Sequence, residues 1–167
     1  MKRLSLGVIL LLTSAVVPPG VQEWAQDQGL KTGQTHSRID RDWTVFDGQF
    51  LPPSGKVSVK LVSPSGGGGG VVYTLMRYDL VYPRDVPAAV KLIGTYAQQD
   101  ALTNLSAKKI TACLEAVQRM KAPQVKTLVW TMLSKAEGRL LKVNCGVTAS
   151  TTYVTVDEKV IGDDYWK

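Results

Sequence analysis

Hydrophobic and polar residues alternate from Lys56 to Val62. Val57, Val59 and Leu61 fall on one side, and Ser58 and Lys60 on the other. A period of two predicts a half-buried strand. A second strand is expected over Val71–Tyr82, a run rich in Val and Tyr, with Pro83 closing it. Between the two lie Ser63-Pro64-Ser65 and the five glycines Gly66, Gly67, Gly68, Gly69 and Gly70. The pair therefore reads as a hairpin with a long, flexible tip, because glycine loses the most backbone freedom when ordered.

The period then changes to that of a helix. Asp85 is a good N-cap and Pro87 suits the first turn, so a helix is expected from Ala88 to about Gln99, with Val86, Val90, Ile93 and Ala97 near one face. A second helix is expected after Ser106. Ile110, Cys113, Leu114 and Val117 recur at helical spacing there, and Pro123 ends it. Three further strands are expected over Val125–Leu133, Arg139–Val147 and Thr151–Val160, joined by short turns. Short turns favour antiparallel pairing. The expected fold class is α+β: two layers, a mostly antiparallel sheet in the order β-β-α-α-β-β-β, and two helices on one face.

The start of the chain reads differently. Lys2 and Arg3 precede an uncharged, mostly apolar run, Leu4 to Val17, which Pro18, Pro19 and Gly20 close. This is the pattern of a secretory signal peptide over residues 1–20, cleaved near 15–20 or as late as Ala25. An uncleaved anchor is the competing reading, but the run is shorter than the roughly 20 residues a membrane span needs. No transmembrane helix is expected in the mature chain. Residues 21–55 read as an extended polar arm carrying Trp24, Trp43, Phe46 and Phe50, and Pro52-Pro53-Ser54-Gly55 is a turn signal. The α+β domain is then expected over 56–167.

Export changes how the two cysteines are read. In an oxidising compartment an even count suggests a bridge, here Cys113 with Cys145. Two buried free thiols are the alternative. One pair cannot build a cysteine-rich metal site, and no C-x-x-C redox motif occurs. Of the 167 residues, 44% are hydrophobic and 20% charged, an ordinary globular balance that argues against disorder. The net charge is +6, and without Lys2 and Arg3 it is 18 basic against 14 acidic residues, or +4. Lys108-Lys109 is the densest basic pair after the leader. No basic stripe with interleaved aromatics is present, so no specific nucleic-acid motif is read.

Candidate chemistry is sparse. His36 is the single histidine and sits in the polar arm, with no G-x-S-x-G elbow to support a Ser-His-Asp triad. The glycine run matches neither phosphate-binding pattern. Asp157-Glu158, Asp163-Asp164 and the Asp40 and Asp42 pair are candidate carboxylates, but adjacent acids on a strand point to opposite faces. Asn104-Leu105-Ser106 fits the glycosylation acceptor and equally a helix-capping turn. No catalytic, cofactor-binding or metal-binding residue is assigned, and no cofactor is expected. What remains is a set of aromatic residues near the two ends of the chain. Trp24, Trp43, Tyr165 and Trp166 are candidate partner contacts, because Trp and Tyr favour interfaces. Docking of these rings onto their own domain is the alternative. The functional expectation is a non-enzymatic exported protein in the periplasm, at the cell surface or outside the cell. There it binds another protein or joins an assembly as a homo- or hetero-oligomer. A secreted hydrolase using carboxylates and a binder of polyanions or anionic membrane surfaces are the alternatives.

Overall fold

A computed structural model describes residues 17–66, 71–99, 107–120, 128–134 and 138–160. The elements run α1 (Pro19–Asp27), β1 (Lys31–Asp40), β2 (Trp43–Leu51), β3 (Lys56–Pro64), β4 (Tyr73–Leu80), α2 (Val86–Gln99), α3 (Ala107–Gln118), β5 (Leu128–Ser134), β6 (Arg139–Val147) and β7 (Thr152–Val160). The fold is mixed α+β. All seven strands join one sheet in the order β1-β2-β3-β4-β7-β6-β5, and every neighbouring pair is antiparallel.

The observed order corrects the expected β-β-α-α-β-β-β. One helix and two strands precede β3; both strands come from the segment read as an extended polar arm, and the helix starts at Pro19, inside the segment read as the leader, and runs into that arm. Residues 31–51 form a hairpin whose second strand pairs with β3 from Trp43↔Pro64 to Phe50↔Val57. No boundary at 55/56 separates an arm from the sheet. The reason is visible in β2, where Phe46 and Phe50 are buried while Val45, one position out of phase, is buried on the other side. Both faces of β2 are apolar, so the strand lacks the simple alternation that marks a half-buried strand. Its partner β1 is exposed at every position but Thr35 and carries no apolar pattern.

The hairpin from β3 to β4 forms as expected, with Lys56 opposite Asp79 and Val62 opposite Tyr73. Gly66 ends the described part of its tip, and Gly67 to Gly70 lie outside the described residues. After β4 the two helices carry the chain to the far edge. The β5-β6-β7 meander then returns, and β7 pairs with β4, Met76 opposite Val156. Both flanks of β7 are thereby paired, and Val154 and Val156 are fully buried.

One large cluster joins sheet and helices. Ala25 of α1, Ala89, Leu92 and Ile93 of α2, and Ile110, Cys113, Leu114 and Val117 of α3 pack with Phe50, Val57, Met76, Tyr78, Val143 and Val154 of the strands. The stripe on α3 is the one its spacing predicts. On α2 the buried set is Ala89, Leu92 and Ile93, with Val86 and Val90 at the margin. A smaller cluster on the other side of the strands holds Val45, Val62 and Val72, flanked by Trp43, Tyr73 and Val160. Cys113 and Cys145 are bonded to each other across the main cluster, with their Cα atoms 5.9 Å apart. The bond ties α3 to β6. Among the described residues no helix is long and apolar enough to cross a membrane.

Candidate interaction surface

Two polar constellations stand out. The first lies in the connection from β4 to α2. Asp85 is almost completely buried. Its Oδ2 accepts from the Ser54 hydroxyl at 3.0 Å and from the Val81 backbone N–H at 2.8 Å, and its Oδ1 accepts from Arg84 Nε at 2.9 Å. The Tyr78 hydroxyl donates to the Ser54 carbonyl at 2.8 Å, and a terminal nitrogen of Arg84 donates to the Ser54 hydroxyl. The backbone carbonyl of Asp85 accepts from the Ala89 N–H, which places Asp85 at the helix-capping position the sequence predicts. Its side chain, however, joins the Pro52–Gly55 turn to the end of β4. Gly55 makes that turn possible: its φ is +79°, and a Cβ there would meet the Tyr78 ring at 2.6 Å.

The charge state of this cluster follows from its contacts. The Arg84 hydrogen bond pulls the Asp85 carboxyl below its ordinary value, burial opposes that, and the Val81 N–H and Ser54 hydroxyl add to the lowering. Burial pushes the Tyr78 phenol up, the Asp85 charge adds to the rise, and Arg84 offsets part of it. An ionised carboxylate with three donors is a poor proton acceptor. It does not activate Ser54, so the cluster is a fastening between two turns.

The second constellation is the β1 edge and the sheet face beside it. Register places His36 opposite Asp47 and Arg38 opposite Val45. Arg38 donates to Asp47 Oδ2 at 2.7 Å, and His36 Nε2 lies 3.4 Å from the same oxygen. Next to them a trough of about 490 Å³ is lined by Gln34, His36, Asp47, Ser58, Lys60 and Arg77 among others. The Arg77 guanidinium is held by Asp79, 2.7 Å from Oδ1, and sits 4.0 Å above the centre of the Tyr153 ring. Tyr153 in turn lies over Gly146, its register partner. A Cβ at Gly146 would run into that ring, 2.8 Å from its Cε1. Gly146→Ala is therefore expected to displace Tyr153, loosen Arg77 and cost about 1–2 kcal/mol in a denaturant melt, the usual scale of overpacking. An unchanged midpoint would show that the ring moves aside freely.

The other expected site residues are distributed as follows. Trp24 is partly buried against the main cluster, with its ring edge-on to Phe50 at 6.0 Å between centroids. Its indole N–H is buried without a hydrogen-bond partner among the described residues. Trp43 packs beside Val45, Val62 and Val72. Both rings thus lie on their own domain. Tyr165, Trp166, Asp163, Asp164 and the Asn104 acceptor lie outside the described residues, as does the leader up to Val16. His36, expected in an extended polar arm, is in β1. Asp157 and Glu158 diverge: Glu158 is buried on the helix side of β7 and Asp157 lies on the other face. Among the described residues no three His, Cys, Asp or Glu side chains come together to hold a metal.

The chain matches no family model, no curated protein and no solved structure. The β1 edge escaped the sequence reading because a strand exposed on both faces shows no hydrophobic period. The Ser54–Asp85 contact escaped it because the two residues are 31 positions apart and each has a sufficient local role.

Proposed function

We propose that the chain is an exported, non-enzymatic protein that binds another protein chain, and that β1 is the edge it offers. The observation that carries this reading is the exposure of a ten-residue strand at the end of a seven-stranded sheet. An edge strand presents a row of backbone donors and acceptors that another strand can use. The buried Cys113–Cys145 bond is compatible with an oxidising, exported location. Mature protein recovered from the envelope or secreted fraction is expected to lack about the first 15–20 residues, which N-terminal sequencing would read directly.

The binding test uses proline as an edge block. Successive N–H groups of a strand point to opposite sides, so of His36→Pro and Ser37→Pro one removes an outward donor and the other a bond to β2. Tagged wild-type protein, cross-linked in its native fraction, is expected to bring down one protein species at a fixed ratio. The variant that keeps the β1–β2 pairing is expected to lose it. Recovery of the protein only as a monomer with no chain cross-linked to it, or retention of the same species by both proline variants, would remove the support for this reading.

A further inference from the structure

We infer that the occupant of the β1 edge is the β1 edge of a second copy of this chain, paired antiparallel about a two-fold axis through His36. The inference rests on the reading of β1 as a binding edge and names the partner.

The argument is one of register. The pairing of β1 with β2 shifts by one residue between Thr32 and Thr35, where Gly33 and Gln34 together oppose Gln49. Counting that bulge, Lys31, Gln34, His36, Arg38 and Asp40 lie on the trough side of the sheet, while Thr32, Thr35, Ser37 and Ile39 lie on the helix side. A two-fold axis that joins two such edges stands perpendicular to the sheet, so residues that meet must come from the same face. Three symmetric registers near the middle of the strand satisfy this, and charge separates them.

Centred on Thr35, the pairing sets Lys31 against Arg38 of the second copy, a like-charge contact that is unfavourable in directly opposed positions. Centred on Ser37, it sets Arg38 against His36 and leaves Lys31 beyond the paired segment. Centred on His36, it sets Lys31 against Asp40 of the second copy, and by symmetry Asp40 against Lys31. In the same register Gln34 meets Arg38, Thr35 meets Ser37, and Thr32 meets Ile39. Ile39 is 75% exposed, the most exposed of the large hydrophobic residues described. Pairing with the β-branched Thr32 covers it on the helix side. The outcome is a continuous antiparallel sheet across two chains. A single strand pair buries less than a standard interface, so the dimer is expected to be weak and concentration-dependent.

The test uses the protein as exported. Sedimentation equilibrium is expected to show the average mass rising from one chain toward two between about 10 and 500 µM, the range a sub-standard interface allows. Opposed residues in an antiparallel pair have Cα atoms about 4.5–5.5 Å apart, within disulfide reach. His36→Cys is therefore expected to form a covalent dimer under mild oxidation. Asp40→Cys is not, because its two copies would lie about 25 Å apart along the strands. Asp40→Lys is expected to weaken self-association about tenfold, from two lost pairs and two like-charge contacts. Lys31→Asp combined with Asp40→Lys is expected to restore it.

Wild-type protein that stays monomeric over the whole range would overturn the inference, as would Asp40→Cys cross-linking as well as His36→Cys, or failure of the charge swap to restore association. The broader reading of β1 fails on a different observation. A monomer that still holds a different protein, lost on the edge block, overturns self-pairing and leaves β1 as a binding edge. A monomer that holds nothing overturns both.

Discussion

Replacing both cysteines, Cys113→Ala with Cys145→Ala, is expected to lower the stability of the oxidised protein by about 3–4 kcal/mol in the chain-entropy treatment of cross-links. The bond closes a loop spanning 32 residues, from the core stripe of α3 to the C-terminal part of β6. Without it the unfolded chain recovers the freedom that closure removes. The native state also loses two side chains that are fully buried among Ile110, Leu114, Val143 and Val154. Each alanine leaves a small gap, which adds to the loss. For a chain of this length the loss corresponds to a fall in melting temperature of roughly 10 °C. Paired guanidinium melts of wild type and the double variant would measure it. Coincident midpoints would mean that the bond does not constrain the native protein. Reduction of the wild type should give a smaller fall than the double variant, because two buried thiols still fill the space.

Asp85→Ala is expected to cost about 2–4 kcal/mol, and Asp85→Asn less. The alanine leaves the Val81 N–H and the Ser54 hydroxyl without their acceptor in a part-buried site, and unmet buried donors cost about 1–3 kcal/mol each. Arg84 is largely exposed and re-solvates, so its share is small. Asparagine keeps one oxygen for Val81 and Ser54 but gives up the charge that Arg84 and the backbone favour.

The same residue predicts a pH effect. The folded Asp85 carboxyl sits below its unfolded value, held there first by Arg84. The stability it contributes is fully present above the unfolded value, near pH 4 (about 3.9). It is lost as pH falls through the folded value. Wild type is therefore expected to lose more stability than Asp85→Asn between about pH 5 and pH 2, with the two curves converging at the acid end. Parallel curves would show that Asp85 makes no difference to acid stability.

Some of this architecture was legible in the residues. The α3 stripe of Ile110, Cys113, Leu114 and Val117 was readable because a helix with one buried face must repeat every three or four positions. The β3 strand was readable because Val57, Val59 and Leu61 share one face. The hairpin of β1 and β2 was not. Phe46 and Phe50 face the main cluster while Val45 faces the smaller one, so their pattern has no single period. The candidate surface was hidden for a related reason. An edge strand meets water on both faces and is recognised only by what lies beside it, and among the described residues the strand paired with β1 is β2.

The amino-acid order alone determined the α+β class, the helix stripes, the paired-cysteine expectation and the absence of any familiar catalytic motif. Each depends on residues near one another in the chain or on composition, where periodicity and turn chemistry act locally. Only the tertiary structure decided that residues 31–51 extend the sheet, that Asp85 fastens Ser54, that Trp24 turns inward, and that β1 is the terminal strand of the sheet among the described residues. Those outcomes depend on which strands find one another across dozens of residues, a choice made by the burial of whole faces and not by any local signal.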